Sequence, residues 1–148
     1  MPQSGASFDP QTLFAPYRDF KPETLPADVR TALTELCRRA RGSVIKMTTV
    51  AGSGHPGGSM SSMEMYMLLY SLAKLRPAEP WWRERDRVVV SHGHTSPGVY
   101  SALGHNGFFD VAQAEVAFRL AGSPFEGHVE RTVPGVEWDT GNLGQGLS

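Results

Sequence analysis

The sequence contains one cysteine, no excess of charge of either sign, and no apolar run of the roughly 18 residues needed to cross a bilayer. A single thiol, Cys37, excludes an internal disulfide and a multi-cysteine zinc site. Fourteen Lys and Arg against fifteen Asp and Glu give a formal net charge of −1, which argues against non-specific nucleic-acid binding. The first ten residues lack the basic and apolar regions of a secretory signal. We therefore expect a cytoplasmic globular protein, an enzyme or part of one, with no nucleic-acid or membrane partner.

The N-terminal segment differs in composition from the rest of the chain. Five prolines fall within residues 1–27, and no hydrophobic period is sustained there. This composition predicts an extended arm over residues 1–27 that packs through Phe14, Tyr17 and Phe20. A partly disordered terminus is the alternative. Residues 28–148 are expected to form one domain or a part of one.

Several sequence patterns together predict four helices. Apolar residues recur every three or four positions over residues 28–51, the spacing of one helix face, and Gly52 follows. Residues 60–75 are apolar on nearly every face, and Ser61 and Glu64 stand at capping-box spacing before that run. A helix that is apolar all round must be buried in a core or against a partner. Pro97 suits the first turn of a helix over residues 97–103, and a weaker helix is predicted over residues 111–120.

One segment has the composition of a buried parallel strand. Residues 86–91 read DRVVVS, a short β-branched run, and His92 and His94 follow it directly. Ligand sites in open α/β sheets form at the carboxyl ends of strands, so these histidines are well placed for function. A single strand cannot make a sheet that covers the predicted helices. The expected fold class is therefore α/β, with a parallel sheet flanked by helices that is incomplete in this chain.

The glycines are clustered, and the histidines lie in or beside the clusters. Glycines next to His55, His94 and His128 remove the bulk that would cover an imidazole, which favours a functional role for these three. His92 is left open between a functional and a structural role, and His105, in a polar turn, is expected on the surface. The spacing G-x-G-x-x-G at residues 52–57 is not a dinucleotide fingerprint, because no strand precedes it. A histidine metal site is disfavoured, because residues 95–97 offer no further ligand.

The ordered set of short motifs resembles the amino-terminal region of transketolases. The motifs are SGHPGG at 53–58, DRVVVSHGH at 86–94, GHVE at 127–130, GVE at 135–137 and GNLGQG at 141–146. The resemblance runs from about residue 29 to residue 148 and is closest to bacterial transketolases that are split into two polypeptides.

The resemblance implies a partial thiamine-diphosphate-binding fold and a ketol-transfer reaction. A two-carbon unit would pass from a ketose phosphate to an aldose phosphate, as in the pentose phosphate pathway, with thiamine diphosphate and Mg²⁺ as cofactors. The implied partner is a C-terminal transketolase subunit or domain, in a homodimer or a heterotetramer.

The resemblance also assigns roles to individual residues. His55 resembles a histidine that contacts substrate hydroxyls and assists proton transfer, and His94 one that touches both cofactor diphosphate and substrate. His128 resembles a histidine that hydrogen-bonds the carbonyl end of the donor. Cofactor binding is assigned to His94, Gly141, Asn142 and Leu143.

Two departures from the family pattern bear on activity. Val129 follows His128 where the family usually has proline, and the residues that hold Mg²⁺ are expected beyond Ser148. We therefore predict that this chain alone has no transketolase activity. The alternatives are another thiamine-diphosphate enzyme, of the deoxyxylulose-phosphate synthase or phosphoketolase type, and a non-catalytic truncated module that pairs with a full-length homologue.

Overall fold

The computed structural model describes residues 8–21 and 23–144. This part of the chain consists of helices joined by irregular loops, with 3-10 turns at Ala15–Phe20 and Gly93–Thr95. Within it, no helix combines the length and the apolar character required of a membrane span. The α-helices are α1 (Pro10–Phe14), α2 (Ala27–Val50), α3 (Pro56–Ser61), α4 (Met63–Leu72), α5 (Ser96–His105) and α6 (Val111–Ala117).

Helix α2 lies at the centre of the fold. It contacts α3, α4, α5 and α6, and its buried face carries the periodic apolar residues Leu36, Ala40, Val44 and Met47. The predicted helix over residues 28–51 is confirmed to within one residue at each end. Asp28 lies in the first turn, where its carboxylate interacts favourably with the positive end of the helix dipole, and makes no capping hydrogen bond.

The predicted apolar helix over residues 60–75 is shorter and is broken at its start. Helix α3 ends at Ser61, and Ser62 separates it from α4. The predicted capping box is wrong, because the Ser61 hydroxyl donates to Gly58 O and Glu64 accepts from Arg41 at 2.6 Å. One side of α4 is also uncovered in the described structure, where the side chains of Met65 and Leu68 are 63% and 42% exposed.

Helix α5 is the most deeply buried helix and joins the others. The Ser101 hydroxyl donates to Ala40 O of α2 at 2.8 Å in the core. The predicted helix over residues 97–103 is confirmed. The predicted helix over residues 111–120 ends earlier, at Ala117, because Arg119 has a φ of +58° and donates its N–H to Phe125 O.

The N-terminal segment contains a short helix, α1, followed by the 3-10 turn at Ala15–Phe20. Asp9 accepts hydrogen bonds from the N–H groups of Gln11 and Thr12 and so caps α1. The prediction of an extended chain did not take into account that proline is favoured in the first turn of a helix, where Pro10 lies. Phe14 is fully buried, as predicted for an anchor, whereas Phe20 is 51% exposed. Residues 1–7 lie outside the described ranges.

The predicted strand and sheet are not confirmed by the described residues. Residues 86–90 have no regular secondary structure, and no strand is formed within residues 8–21 and 23–144. A strand requires a hydrogen-bonded neighbour, and the rest of the described chain is helix, turn and loop. The expected burial is incomplete as well, since Val90 is 7% exposed but Val89 is 40% exposed.

Two glycines inside helices provide a matched test of this packing. A Cβ at Gly104 in α5 would lie 2.8 Å from Val111 Cβ and 3.0 Å from Val111 Cα, whereas a Cβ at Gly42 in α2 would meet nothing within 4 Å. Gly104→Ala should lower the free energy of unfolding by about 1–3 kcal/mol through overpacking. Gly42→Ala should raise it by about 0.5–1 kcal/mol, because alanine favours the helix. Urea unfolding measures both, and equal effects of the two substitutions would contradict the tight α5–α6 contact.

Candidate functional site

Four histidines from three separate segments form one cluster. The ring centroids of His55 and His94 are 5.3 Å apart with the planes at 76°, and those of His92 and His94 are 6.1 Å apart at 64°. His128 lies near enough to act on the charge state of His94. We define these four residues as the histidine cluster. The structure thus brings together the three histidines predicted to be functional.

His55 is presented by a glycine turn between α2 and α3. Gly52 and Gly54 have φ values of +62° and +135°, which L side chains rarely adopt. A Cβ at Gly54 would also lie 2.8 Å from Thr48 Cγ2. His55 precedes α3 and is exposed, so its ring is accessible to a ligand.

His94 lies where two glycines permit a close approach of three segments. A Cβ at Gly93 would overlap the side chain of Thr140, and one at Gly58 would lie 2.8 Å from Thr95 Cγ2 and 3.6 Å from His94 Nε2. These glycines therefore let the start of α3 and the segment around residue 140 pack against the 3-10 turn that carries His94.

The loop that carries His128 is held by α5 and approached by Arg119. Tyr100 donates from its hydroxyl to His128 O at 3.0 Å, and Ser96 donates to Gly127 O at 2.9 Å. The Arg119 guanidinium covers Gly127 and donates to the Ser53 hydroxyl at 3.2 Å. A cation therefore lies between the loop of His128 and the turn of His55.

Residues 140–144 are tied to the segment that carries His92 and His94. Gly144 donates its N–H to Ser91 O at 3.2 Å, and Thr140 donates its N–H to Val129 O at 3.0 Å. These two bonds place the three predicted cofactor-binding residues of that loop next to the histidine cluster, and all three are exposed: Gly141, Asn142 and Leu143.

A buried ion pair holds the same loop from its other end. Arg85 donates from Nε and Nη2 to the two carboxylate oxygens of Glu137 at 2.6 and 2.7 Å. The two side chains are only 10% and 9% exposed. This bidentate pair fixes the loop that ends in residues 140–144 to the segment that leads into the histidine cluster.

Burial and neighbouring imidazoles lower the pKa of His94 below its ordinary value of 6.5. Desolvation is the largest cause, followed by the charges of His55, His92 and His128. A lowered pKa keeps His94 neutral near pH 7, and a neutral imidazole can accept a proton or a hydrogen bond. The cluster is therefore suited to proton transfer with a polar ligand.

His105 belongs to a different part of the fold and is not on the surface as predicted. It is half-buried, with Nε2 3.0 Å from the Ser43 hydroxyl, which in turn donates to Glu115 at 2.7 Å. Burial lowers the pKa of His105. The residue joins α5 to α2 and α6, so its role is in packing.

Sequence patterns miss several residues around the histidine cluster. The periodicity places Tyr66 correctly in the core but gives no sign that its hydroxyl lies 2.8 Å from His92 Nε2. Thr95 and Arg119 likewise carry no sequence signal, because their roles depend on contacts between segments that are distant in the chain.

The exposed residues around the cluster offer a ligand both apolar and polar groups. Leu143 offers an apolar side chain that is 69% exposed, and a Cβ at Gly57 or Gly141 would meet no atom within 4 Å. Imidazoles and the Arg119 guanidinium supply polar and cationic groups. Across residues 8–21 and 23–144, no three His, Cys, Asp or Glu side chains are grouped so that they could hold a metal ion.

Comparison with known proteins identifies relatives along most of the chain. The family model for the transketolase thiamine diphosphate binding domain matches residues 33–148. The transketolase of Treponema pallidum is 42% identical over 124 residues, which are 78% of this chain and 19% of that protein. The 6-deoxy-6-sulfo-D-fructose transketolase subunit SqwG of Clostridium sp. (strain MSTE9) is 41% identical over 99 residues, which are 66% of this chain and 36% of that protein.

Solved structures give the same result. Transketolase from Campylobacter jejuni aligns with a TM-score of 0.69 and 37% identity, over 77% of this chain and 18% of that one. Transketolase from Leishmania mexicana aligns with a TM-score of 0.67 and 34% identity, over 77% and 17%. This chain therefore spans less than a fifth of the length of these two structures.

The lowered pKa of His94 predicts a coupled titration. His55→Gln should raise the pKa of His94, because it removes one of the positive charges that oppose protonation. His105→Gln should leave the pKa of His94 unchanged. NMR titration of the imidazole signals measures both. An unchanged His94 pKa in the His55→Gln variant would contradict the proximity of the two rings.

The lowered pKa values of His94 and His105 also predict that stability depends on pH. Because both imidazoles bind protons more tightly in the unfolded chain than in the folded one, the free energy of unfolding should fall as the pH drops below 6.5.

The Arg85–Glu137 pair predicts a large loss of stability when it is broken. Glu137→Gln leaves a buried guanidinium without its counter-charge, which should cost about 3–5 kcal/mol of unfolding free energy. Glu79→Gln is the matched control, because the Arg76–Glu79 pair is exposed and should contribute less than about 1 kcal/mol. Thermal and urea unfolding provide the measurement. Similar losses of unfolding free energy for the two substitutions would contradict a stabilising role of the Arg85–Glu137 pair.

Proposed function

Since the chain belongs to the transketolase family, through its thiamine diphosphate binding domain, we propose that it is the N-terminal portion of a working transketolase. The proposed reaction moves a two-carbon ketol unit from a ketose phosphate to an aldose phosphate. The observation that carries this proposal is the convergence of His55, His94 and His128, three histidines from distant segments, on one accessible cluster.

The cofactor is proposed to lie against the histidine cluster and the loop at residues 141–143. The exposed side chain of Leu143 would contact its rings, and Gly141 and Asn142 would offer backbone and amide hydrogen bonds. His94 would donate to an anionic oxygen. Bound thiamine diphosphate would supply the carbon nucleophile for ketol transfer, and the protein would supply orientation and proton transfer.

Each histidine has a distinct proposed role. His55 is exposed on its glycine turn and would exchange protons with substrate hydroxyls. His94, whose lowered pKa favours the neutral ring, would accept a hydrogen bond or a proton from bound substrate. His128, held through its carbonyl by Tyr100, would hydrogen-bond the carbonyl end of the donor sugar.

Further parts of the proposal rest on the sequence. They comprise an arm at residues 1–27 with a thiamine diphosphate domain portion at 28–148, a cytoplasmic location, and a sheet in which residues 86–91 pair with strands outside this sequence. Mg²⁺ would be held by ligands beyond Ser148, and a C-terminal subunit or domain would complete a homodimer or heterotetramer. The similarity to SqwG, a protein named as a subunit, supports such a partner.

A non-catalytic module that pairs with a longer homologue is the second candidate. The uncovered apolar side chains of Met65 and Leu68 on α4 favour it, because such a face is suited to a protein partner. Another thiamine-diphosphate enzyme is the remaining alternative. Exchange between sugar phosphates without pyruvate or inorganic phosphate separates transketolase from that alternative.

A reconstituted ketol-transfer assay tests the proposal. The chain alone should give no turnover with thiamine diphosphate and Mg²⁺, and addition of a C-terminal transketolase subunit should restore it. His55→Gln and His94→Gln should then lower the rate by about 10²- to 10⁴-fold, the usual contribution of an acid–base group. Assembly, measured by size-exclusion chromatography, should persist.

His105→Gln is the control for a histidine outside the cluster, and its rate should stay near that of the unsubstituted protein. Full activity of the His55 and His94 variants in an assembled complex would contradict the catalytic proposal and support the module.

A further inference from the structure

His92 is bound by a closed chain of hydrogen bonds beneath the histidine cluster. Its Nε2 lies 2.8 Å from the Tyr66 hydroxyl and 3.3 Å from the Ser62 hydroxyl. The Tyr66 hydroxyl lies 2.5 Å from Thr95 Oγ1, and Thr95 Oγ1 donates to His92 O at 2.8 Å. The series of hydrogen bonds therefore begins at the ring of His92 and ends at its carbonyl oxygen.

The direction of every bond in this chain follows from proton counting. A carbonyl oxygen can only accept, so the one hydroxyl proton of Thr95 goes to His92 O. Thr95 must then accept from Tyr66, which uses the one hydroxyl proton of Tyr66. The Tyr66 oxygen is left as an acceptor, so His92 Nε2 must donate to it. Burial raises the pKa of Tyr66, which keeps that proton in place.

Among the residues that the structure describes, none forms a hydrogen bond with the other ring nitrogen of His92, Nδ1. Within residues 8–21 and 23–144, the hydrogen bonds of the His92 ring all involve Nε2. The residue is only half-buried, and its ring lies at an angle of 64° beside that of His94. A neutral imidazole with its proton on Nε2 carries a lone pair on Nδ1.

We propose that Tyr66 and Thr95 fix His92 as the Nε2–H tautomer, so that Nδ1 serves as a hydrogen-bond acceptor for a hydroxyl of a ligand bound at the histidine cluster. His92 then joins His55 and His94 as a ligand-binding residue, because its Nδ1 orients a ligand hydroxyl. Tyr66 and Thr95 act as positioning residues, since they set the tautomer of the His92 ring. The ligand part of this inference rests on the proposed sugar-phosphate chemistry. The tautomer does not depend on that chemistry.

The tautomer is measured directly on the full ¹⁵N-labelled chain by long-range ¹H–¹⁵N correlation at about pH 8, where histidine is neutral. His92→Gln identifies the His92 signals by their loss. The expected spectrum shows a protonated Nε2 and an unprotonated Nδ1. A protonated Nδ1, or an even mixture of tautomers, would overturn the proposal.

Substitutions test whether the hydrogen-bond chain sets this state. Tyr66→Phe removes one hydroxyl and should reduce the tautomer ratio by roughly two- to tenfold, the effect of one net hydrogen bond. Tyr70→Phe makes the same change one turn along α4, where the buried ring packs on Phe108, and should leave the ratio unchanged. Thr95→Ser retains the hydroxyl and should also retain the ratio. If Tyr66→Phe does not fold, Thr95→Val replaces it with the same expectation.

Fructose 6-phosphate serves as the ligand probe, added to the labelled chain after assembly with a C-terminal transketolase subunit, thiamine diphosphate and Mg²⁺. Binding that shifts the Nδ1 signal of His92 together with the His94 signals supports the acceptor role. Binding that shifts the His94 signals and leaves those of His92 in place overturns it. If no histidine signal shifts, the proposed sugar-phosphate site is contradicted, and the tautomer measurement still decides whether Tyr66 and Thr95 fix His92.

Discussion

The buried ion pair between Arg85 and Glu137 is the constraint on which the candidate site depends. The described chain has no sheet to align its loops, so the segment before the histidine cluster and the loop after residue 129 need another connection. Two parallel charge-assisted hydrogen bonds at 2.6 and 2.7 Å provide it in a shielded position. The weaker bonds from Thr140 and Gly144 then set the position of the exposed loop at residues 141–143. One pair of side chains thus fixes the relation between the imidazoles and the residues proposed to contact the cofactor.

The helical framework could be predicted from the sequence because a helix is specified locally. Periodic apolar residues were sufficient for α2, whose buried face follows the three- and four-residue spacing. Helix α5 was predicted from Pro97, which suits the first turn of a helix. The break at Ser62 was missed, since the apolar residues on either side continue the pattern while the backbone does not. The segment at residues 86–91 illustrates the opposite limit. Its composition is that of a strand, but a strand exists only through its neighbours, and no neighbouring strand lies in the described ranges.

The candidate site was predictable as a set of residues but not as a network. Glycines beside His55, His94 and His128 marked accessible imidazoles, and the structure brings those three together. His105 shows why a polar turn is an unreliable sign of exposure, because its ring reaches back to Ser43 in the packed interior. The partners of His92 could not be found from spacing, since Tyr66 is 26 residues away and occupies a helix position that reads as core.

The charge of the histidine cluster also affects how a ligand reaches it. No ion pair in the described structure joins these imidazoles to a carboxylate, and the Arg119 guanidinium lies beside them. When His94 takes up a proton at low pH, the cluster gains a positive charge that no ion pair within the described residues neutralises. The electric field at the histidine cluster then attracts anions more strongly, and their association rate rises and becomes more sensitive to ionic strength. Acidity would therefore speed the capture of an anion while it removes the neutral His94 imidazole that the proposed proton transfer requires, so that capture and the proposed chemistry have opposite pH dependences.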